Sequence, residues 1–338
     1  MVFSDMKLFV RGLLVIILLV LSLGAWYLSR PVAVTNKVVV YIPASSSSAR
    51  ATRILVDAGV VTQPTVLRTV LGFVAKASGK GLHRGSYAFT PDDTYWQVMK
   101  SLVFGDRVLT IRVTFPEGIT LRRFASIIRS RVGADSATVM RHLLSDSLRQ
   151  AWGAGASSVE GYLMPDTYEF YSRQPAEEVI DRLLKQHRDV WEKRFARQSM
   201  ATGMSKHELL TLASIVESET SVDTERSRIA GVYMNRLRRG MKLAADPTVQ
   251  YALGGQARRL LYKDLEVDDP YNTYRYAGLP PGPICAPGAA SIEAAIAPER
   301  HGFLYFCARG DGSGLHSFAV SGAEHARNVS NYRRSRRK

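Results

Sequence analysis

The carboxylates with the most to do chemically sit in one short run, Ala213-Ser-Ile-Val-Glu-Ser-Glu-Thr220. Ser205-Lys-His-Glu208 ahead of it has capping-box spacing, so a helix is predicted to open there and run to Thr220. At about 100° per residue, Leu209, Leu210, Leu212, Ala213, Ile215 and Val216 cover more than half the circumference. His207, Thr211, Ser214 and Ser218 form a narrow polar stripe, so the helix is expected to be largely buried. Glu217 projects between Ala213 and Leu210, and Glu219 between Ile215 and Leu212, both inside the apolar arc. Desolvation disfavours a charged carboxylate there. Each must be paired with a cation, for which Arg226, Arg228 and Arg236 on the next helix are available, or be shifted toward the range of a general acid at neutral pH. The projection does not choose between the two glutamates.

Other polar groups follow closely. Asp223–Leu237 reads as a helix capped by Asp223, with Ile229, Ala230, Val232, Tyr233 and Leu237 inward and Gly240 as its stop. Its Asn235 suits either a local hydrogen bond or a ligand contact. After Asp246-Pro-Thr248 come Pro270-Tyr-Asn-Thr-Tyr274 and Gly278-Leu-Pro-Pro-Gly-Pro-Ile284, the last a rigid irregular loop because proline and glycine exclude regular helix and central strand. Tyr271, Asn272 and Tyr274 would offer a sugar flat apolar faces and amide hydrogen bonds; equally, such aromatics can pack on a core. The seven histidines are scattered without H-E-x-x-H or paired-cysteine spacing, so neither a metal nor a cofactor is expected. His316 and His325 read as structural or cleft-lining. Cys285 and Cys307 could oxidise in an exported compartment.

The compartment is set by the N-terminus. Gly12–Leu28 is 17 residues without a charge, about 25 Å as a helix, with Lys7 and Arg11 before it and Trp26 and Tyr27 at its end. Ser22 and Gly24 resemble a signal cleavage site, but the apolar run continues through Ala25–Leu28, which favours a retained anchor. The basic leader keeps the N-terminus in the cytoplasm and sends the rest across the membrane. The net charge, 45 − 30 = +15, therefore points to an anionic wall or lipid and away from nucleic acid.

An apolar share of 46% with 22% charged residues excludes a disordered or low-complexity chain, and two cysteines exclude a disulfide framework. Lys37–Ile42 is extended, and Ser45–Ser48 is a loop or the start of a helix through Ile54, Leu55 and Ala58. Val66–Ala77 is helical, and Gly85–Phe89 is a short strand. Asp92 and Asp93 are expected to cap a helix through Leu102, Leu109–Phe115 to be a half-buried strand, and Leu121–Arg131 to be helical. Gly153 and Gly155 punctuate a loop, Glu177–Arg197 is one amphipathic helix, and the basic C-terminus is a disordered tail.

Several strings, in order and spacing, resemble the YceG-like family of endolytic murein transglycosylases: Glu160-Gly-Tyr-Leu-Met-Pro-Asp-Thr-Tyr168, Ala213–Thr220, Asn235-Arg-Leu237, Gly240-Met-Lys-Leu243, Asp246-Pro-Thr248, Tyr271–Tyr274, Gly278–Ile284, Leu304-Tyr-Phe306 and Glu324-His325. The resemblance implies an α+β architecture: cytoplasmic residues 1–11, a transmembrane anchor 12–28, a membrane-proximal α/β domain 29–115 with a LysM-like part, a YceG-like catalytic domain 116–332, and a basic tail 333–338. It implies Glu217 as the catalytic acid and base, with Glu219, Asn235, Asp246, Tyr271, Asn272, Thr273, Tyr274 and Pro281 on the substrate. Ser218, Ala286 and Ala326 depart from residues frequent in the family.

The implied reaction cuts the MurNAc-GlcNAc bond of nascent peptidoglycan near the membrane. An acid protonates the leaving oxygen, and the sugar's own C6 hydroxyl attacks the anomeric carbon to leave a 1,6-anhydro end. Because that nucleophile is tethered, no second carboxylate is required. The resemblance also implies cooperation with peptidoglycan synthases. Two alternatives are a non-catalytic wall-binding scaffold and a muramidase-type hydrolase acting through Glu217 with Asp246 or Glu219 as partner carboxylate, which would leave reducing ends.

Overall fold

In the computed structural model, residues 2–79, 81–152, 158–255 and 258–335 are described. Gly153, Gly155, Arg336, Arg337 and Lys338 fall outside them. The architecture is mixed α+β, and the chain divides into two compact units. The first holds residues 1–112, 131–133 and 169–174; the second holds 113–130, 134–168 and 175–338.

The first unit begins with α1 (Val2–Leu28), whose stretch Arg11–Leu28 is long and apolar enough to cross a membrane and is only 6% buried. Its last turn enters the unit's core. The Tyr27 ring stacks on Tyr95 at 4.9 Å, and its hydroxyl donates to the Gln63 carbonyl. Then come β1 (Val38–Ile42), α2 (Ser48–Asp57), α3 (Pro64–Ala77), β2 (Gly85–Phe89) and α4 (Tyr95–Phe104). Strands β1 and β2 pair antiparallel, Val38 opposite Phe89 and Ile42 opposite Gly85, and turn Val40, Ile42, Tyr87 and Phe89 into the core. Ser47 caps α2, which resolves the serine run into a cap. The cap of α4 is Thr94, in a reciprocal box with Gln97, and not Asp92 or Asp93. Asp93 is occupied by the Thr90 amide and by Arg107, 2.7 Å away.

Strands β3 (Thr110–Thr114) and β4 (Thr167–Tyr171) pair, and each contributes residues to both units. In β3 the alternation turns Ile111 and Val113 inward, as expected. Helix α5 (Leu121–Ile127) gives way to a π-helical turn at Ile128–Val132, so the helix predicted to Arg131 ends four residues early as an α-helix. Next are α6 (Ser136–Leu143), α7 (Asp146–Ala151) and α8 (Ala176–Val190). The single helix expected over 177–197 widens to a π turn at Trp191–Phe195 before α9 (Ala196–Ser199).

The core of the second unit is α10 (Lys206–Glu219), packed against α11 (Asp223–Arg238) and α13 (Ala289–Ile296). Ser205 and Glu208 form the predicted box, and every residue from Leu209 to Val216 is buried. The residue capping α11 is Val222; Asp223 lies in its first turn. Helix α12 (Asp246–Ala252) lies between α11 and α13 in sequence. The hairpin β5 (Tyr305–Ala308) and β6 (His316–Ala319) leads into α14 (Gly322–Ser335), which carries Arg333 and Arg334 in its last turn where a disordered tail was expected.

One glycine fixes how the loop before α13 is seated. Gly161 has φ +80°, and a Cβ there would meet the Pro283 ring at 2.5 Å. Gly161→Ala is expected to destabilise the chain by about 2 kcal/mol, combining left-handed strain with overpacking. A denaturant midpoint equal to wild type would contradict that.

Candidate active site

The polar stripe of α10 is covered by the rigid loop, not by solvent. Ser214 Oγ accepts the Ile284 amide at 3.0 Å, and His207 Nε2 contacts the Pro281 carbonyl at 2.8 Å. Tyr162, from the Glu160–Tyr168 string, holds the other ring nitrogen of His207 at 2.9 Å. Of the short hydroxyls in the stripe, Ser214 satisfies the loop amide, while Thr211 and Ser218 donate back to the His207 and Ser214 carbonyls of the helix.

Glu217 and Glu219 lie about 200° apart on α10 and so face different surroundings. Glu217 meets the cation expected as one of its two fates. Its Oε2 accepts Arg226 Nη1 at 3.1 Å and the Gly288 amide at 3.0 Å. Arg226 is fixed in turn, donating to Asp223 at 2.9 Å and to Ser291 at 2.6 Å. The Glu217 side chain is 8% exposed. Its Oε1 has no hydrogen-bond partner among the described residues and faces Gly118, whose Cβ position lies 3.9 Å from it. Purely greasy surroundings for Glu217, the other fate, are not what the fold provides.

Glu219 meets that other fate. It lines a cavity of about 500 Å³ with Tyr233, Arg236, Asp246, Tyr274 and His325. Burial pushes its carboxyl up to about 7 against the opposing effect of the Tyr233 hydroxyl, which donates to Oε1 at 2.6 Å. Asp246 accepts the Tyr274 hydroxyl at 2.6 Å. Both His316 and His325 line this cavity; His316 is held by Glu225 at 2.8 Å. Cys307 also lines it, while Cys285 is buried against the Ser214 carbonyl; both thiols are free.

The remaining predicted residues are dispersed. Asn235 donates to the His301 and Phe303 carbonyls at 2.8 and 2.9 Å. Asn272 is fully buried and spans the Leu265 and Val267 carbonyls, and Thr273 is 1% exposed, holding the Ala245 amide and Thr248. In this structure these three brace the loops on either side of the site rather than facing outward. Tyr271 packs on Tyr251, ring centroids 4.7 Å apart, and Pro281 is exposed on the loop.

Two carboxylates escaped the sequence reading. Glu117, in the Pro116–Gly118 turn, converges with Glu217 on Gly288: a Cβ on Gly288 would overlap the Glu117 carboxyl group. Glu160, 4% exposed, accepts the Leu121 amide at 2.9 Å and the Tyr251 hydroxyl at 3.4 Å, and lines a cavity of about 330 Å³ with Arg122 and Ser158. Burial raises its carboxyl to about 8. The folded chain therefore keeps this proton between about pH 4.5 and 8, where the unfolded chain has lost it, so stability must fall as pH rises through that window. The slope for one such group approaches about 1.4 kcal/mol per pH unit. Glu160→Gln is expected to flatten the fall, and parallel wild-type and variant curves in denaturation against pH would contradict the assignment.

A mixed α+β chain with one membrane-length helix and acidic side chains buried under a Pro/Gly-rich loop is the class these features define. The model of the YceG-like family matches residues 40–331, and the chain belongs to that family. It is 32% identical over 255 residues to the endolytic murein transglycosylase of Bacillus subtilis (strain 168), covering 71% of each chain. To the endolytic murein transglycosylase of Streptococcus pneumoniae serotype 2 (strain D39) it is 30% identical over 223 residues, 64% of this chain and 40% of that one. Among solved structures it resembles the yceG-like protein lmo1499 of Listeria monocytogenes, with a TM-score of 0.60 and 33% identity, over 86% of this chain and 98% of that chain.

Proposed function

We propose that this chain is a membrane-anchored peptidoglycan lytic transglycosylase in which Glu217 gives a proton to the glycosidic oxygen and takes one back from the C6 hydroxyl. The relatives named as endolytic murein transglycosylases support the substrate and the reaction class. The asymmetry of the Glu217 carboxyl carries the assignment. With Oε2 accepting from Arg226 and the Gly288 amide, a proton on this group resides on Oε1, the oxygen left free. Arg226 would then steady the carboxylate left behind after donation, and the same oxygen would receive the C6 proton. Glu219, Asp246 and Tyr274 would contact a neighbouring stretch of the glycan from the 500 Å³ cavity, which Glu217 does not line, with Pro281 at the loop rim.

In this reading α1 is the anchor in the bacterial cytoplasmic membrane, with residues 29–115 and 116–332 on its outer side. A LysM-like part of the first domain would hold glycan, and peptidoglycan synthases would be the natural neighbours. Mass analysis of purified sacculi digested with the full chain tests the reaction: anhydro-MurNAc ends are expected. Intact sacculi would leave only the scaffold reading.

One observation favours a second reading. Burial pushes Glu219 to about 7 in a cavity that Asp246 also lines, so two carboxylates, the number hydrolysis calls for, meet one space, with Glu219 as acid and Asp246 as base. Reducing ends in place of anhydro ends would establish it over the first.

A further inference from the structure

The turn Pro116-Glu-Gly118 brings a second carboxylate to Glu217 that an intramolecular C6 attack does not require as a base. We propose that Glu117 is a positioning residue for the Glu217 acid, the repulsion between the two adjacent carboxylates holding one proton on the pair until the sugar is bound. This rests on the acid role assigned to Glu217 above.

The geometry is specific. Gly288 gives its amide to Glu217 Oε2 at 3.0 Å, while its Cα face lies against the Glu117 carboxyl, close enough that any side chain there would overlap it. The adjoining Gly118 is the residue that Glu217 Oε1 faces. Two carboxylates thus share one glycine from different segments. Glu117 is exposed at the mouth of this pair and has no protein hydrogen-bond partner among the described residues; its contact with Gly288 is what places it beside Glu217. The other charged and titratable groups around Glu217 are Arg226 on α11, which in turn holds Asp223 on α11 and Ser291 on α13, and Cys285 on the loop. Arg226 hydrogen-bonds Glu217 and not Glu117, so one cation faces two carboxylates, and two ionised carboxylates here repel, in part screened by the solvent that reaches Glu117. Burial first, and then the charge of Glu217, push the Glu117 carboxyl above its usual range.

The proton balance follows. The pair holds one proton, on Glu217 Oε1 when sugar is bound. That proton moves to the leaving oxygen as the C1–O bond breaks. The C6 oxygen bonds to C1 and returns its proton to Glu217, so the pair ends as it began and no water is consumed.

The test is the pH profile of kcat/KM for the full chain on uncrosslinked glycan strands, for wild type, Glu117→Gln, Glu117→Asp and Glu217→Gln, with thermal melts as a folding control. Glu117→Gln removes the charge, so the alkaline limb should move down by about one pH unit, a loss of about tenfold on that limb, while Glu117→Asp restores most of it. A merely structural role would lower the melt without moving the limb. Loss of activity in Glu217→Gln with an unmoved limb in folded Glu117→Gln would overturn the role of Glu117 alone. Full activity in Glu217→Gln would overturn the acid assignment and this inference with it. No activity at any pH in folded Glu117→Gln would make Glu117 the acid itself, and overturn its positioning role.

Discussion

Glu217→Gln is expected to cut the release of anhydro-muropeptides by about 10²–10⁴-fold, the share general acid–base catalysis supplies, while leaving the fold in place. The amide is nearly isosteric. Its oxygen can take the position of Oε2 and accept from Arg226 and the Gly288 amide, with its NH2 where Oε1 faces Gly118. What weakens is the charge assistance of the Arg226 contact, about 1 kcal/mol, so a melt within a few degrees of wild type should accompany the lost activity. Glu219→Gln supplies the contrast. It should keep the anhydro product and change KM more than kcat, because on the first reading Glu219 contacts substrate without moving a proton. The opposite pattern, with Glu219→Gln inactive and Glu217→Gln active, would transfer the acid to the cavity of Asp246 and Tyr274.

What could be read from the sequence followed the range of the forces involved. The Ser205–Glu208 box and the buried course of α10 depend on neighbours three or four residues apart, so spacing alone revealed them. The same spacing put both glutamates in an apolar setting and named Arg226 among three candidate cations. It could not assign the fates, because the Gly288 amide that holds Glu217, and Ser291, which holds its partner Arg226, lie some seventy residues downstream. Glu117 was invisible for the same reason: within Pro116-Glu-Gly118 it has the local signature of a turn, and only the tertiary fold sets it on Gly288. Asn272 and Thr273 illustrate the ambiguity of polar residues in loops. Their side chains satisfy loop carbonyls and amides that no ladder reaches, a demand with no sequence period. The π turns after α5 and α8 likewise leave the 3.6-residue pattern intact on both sides, so periodicity continued the helices through them.

Arg226→Ala should be the most destabilising of the substitutions considered, by about 3–5 kcal/mol, because it leaves a buried carboxylate without its cation. Arg226 is 6% exposed, and its guanidinium spans three elements: Asp223 beside it, Glu217 on α10 and Ser291 on α13. The Asp223 contact is largely solvent-exposed and contributes little, so the loss comes from Glu217 and Ser291. Arg226→Lys should recover only part of it, since one ammonium cannot reproduce the separate Nε and Nη1 contacts. A double-mutant cycle locates the energy: in Arg226→Ala with Glu217→Gln the costs should fall short of their sum by about 1 kcal/mol or more, because the glutamine no longer needs the cation. Additivity within about 0.5 kcal/mol in denaturant melts would mean the pair is screened, and with it would go the reason for Oε2 being the fixed oxygen. The same contact thus has two separable consequences. As a salt bridge it ties α10 to α11, and as a one-sided clamp it leaves Glu217 a single oxygen on which to carry a proton.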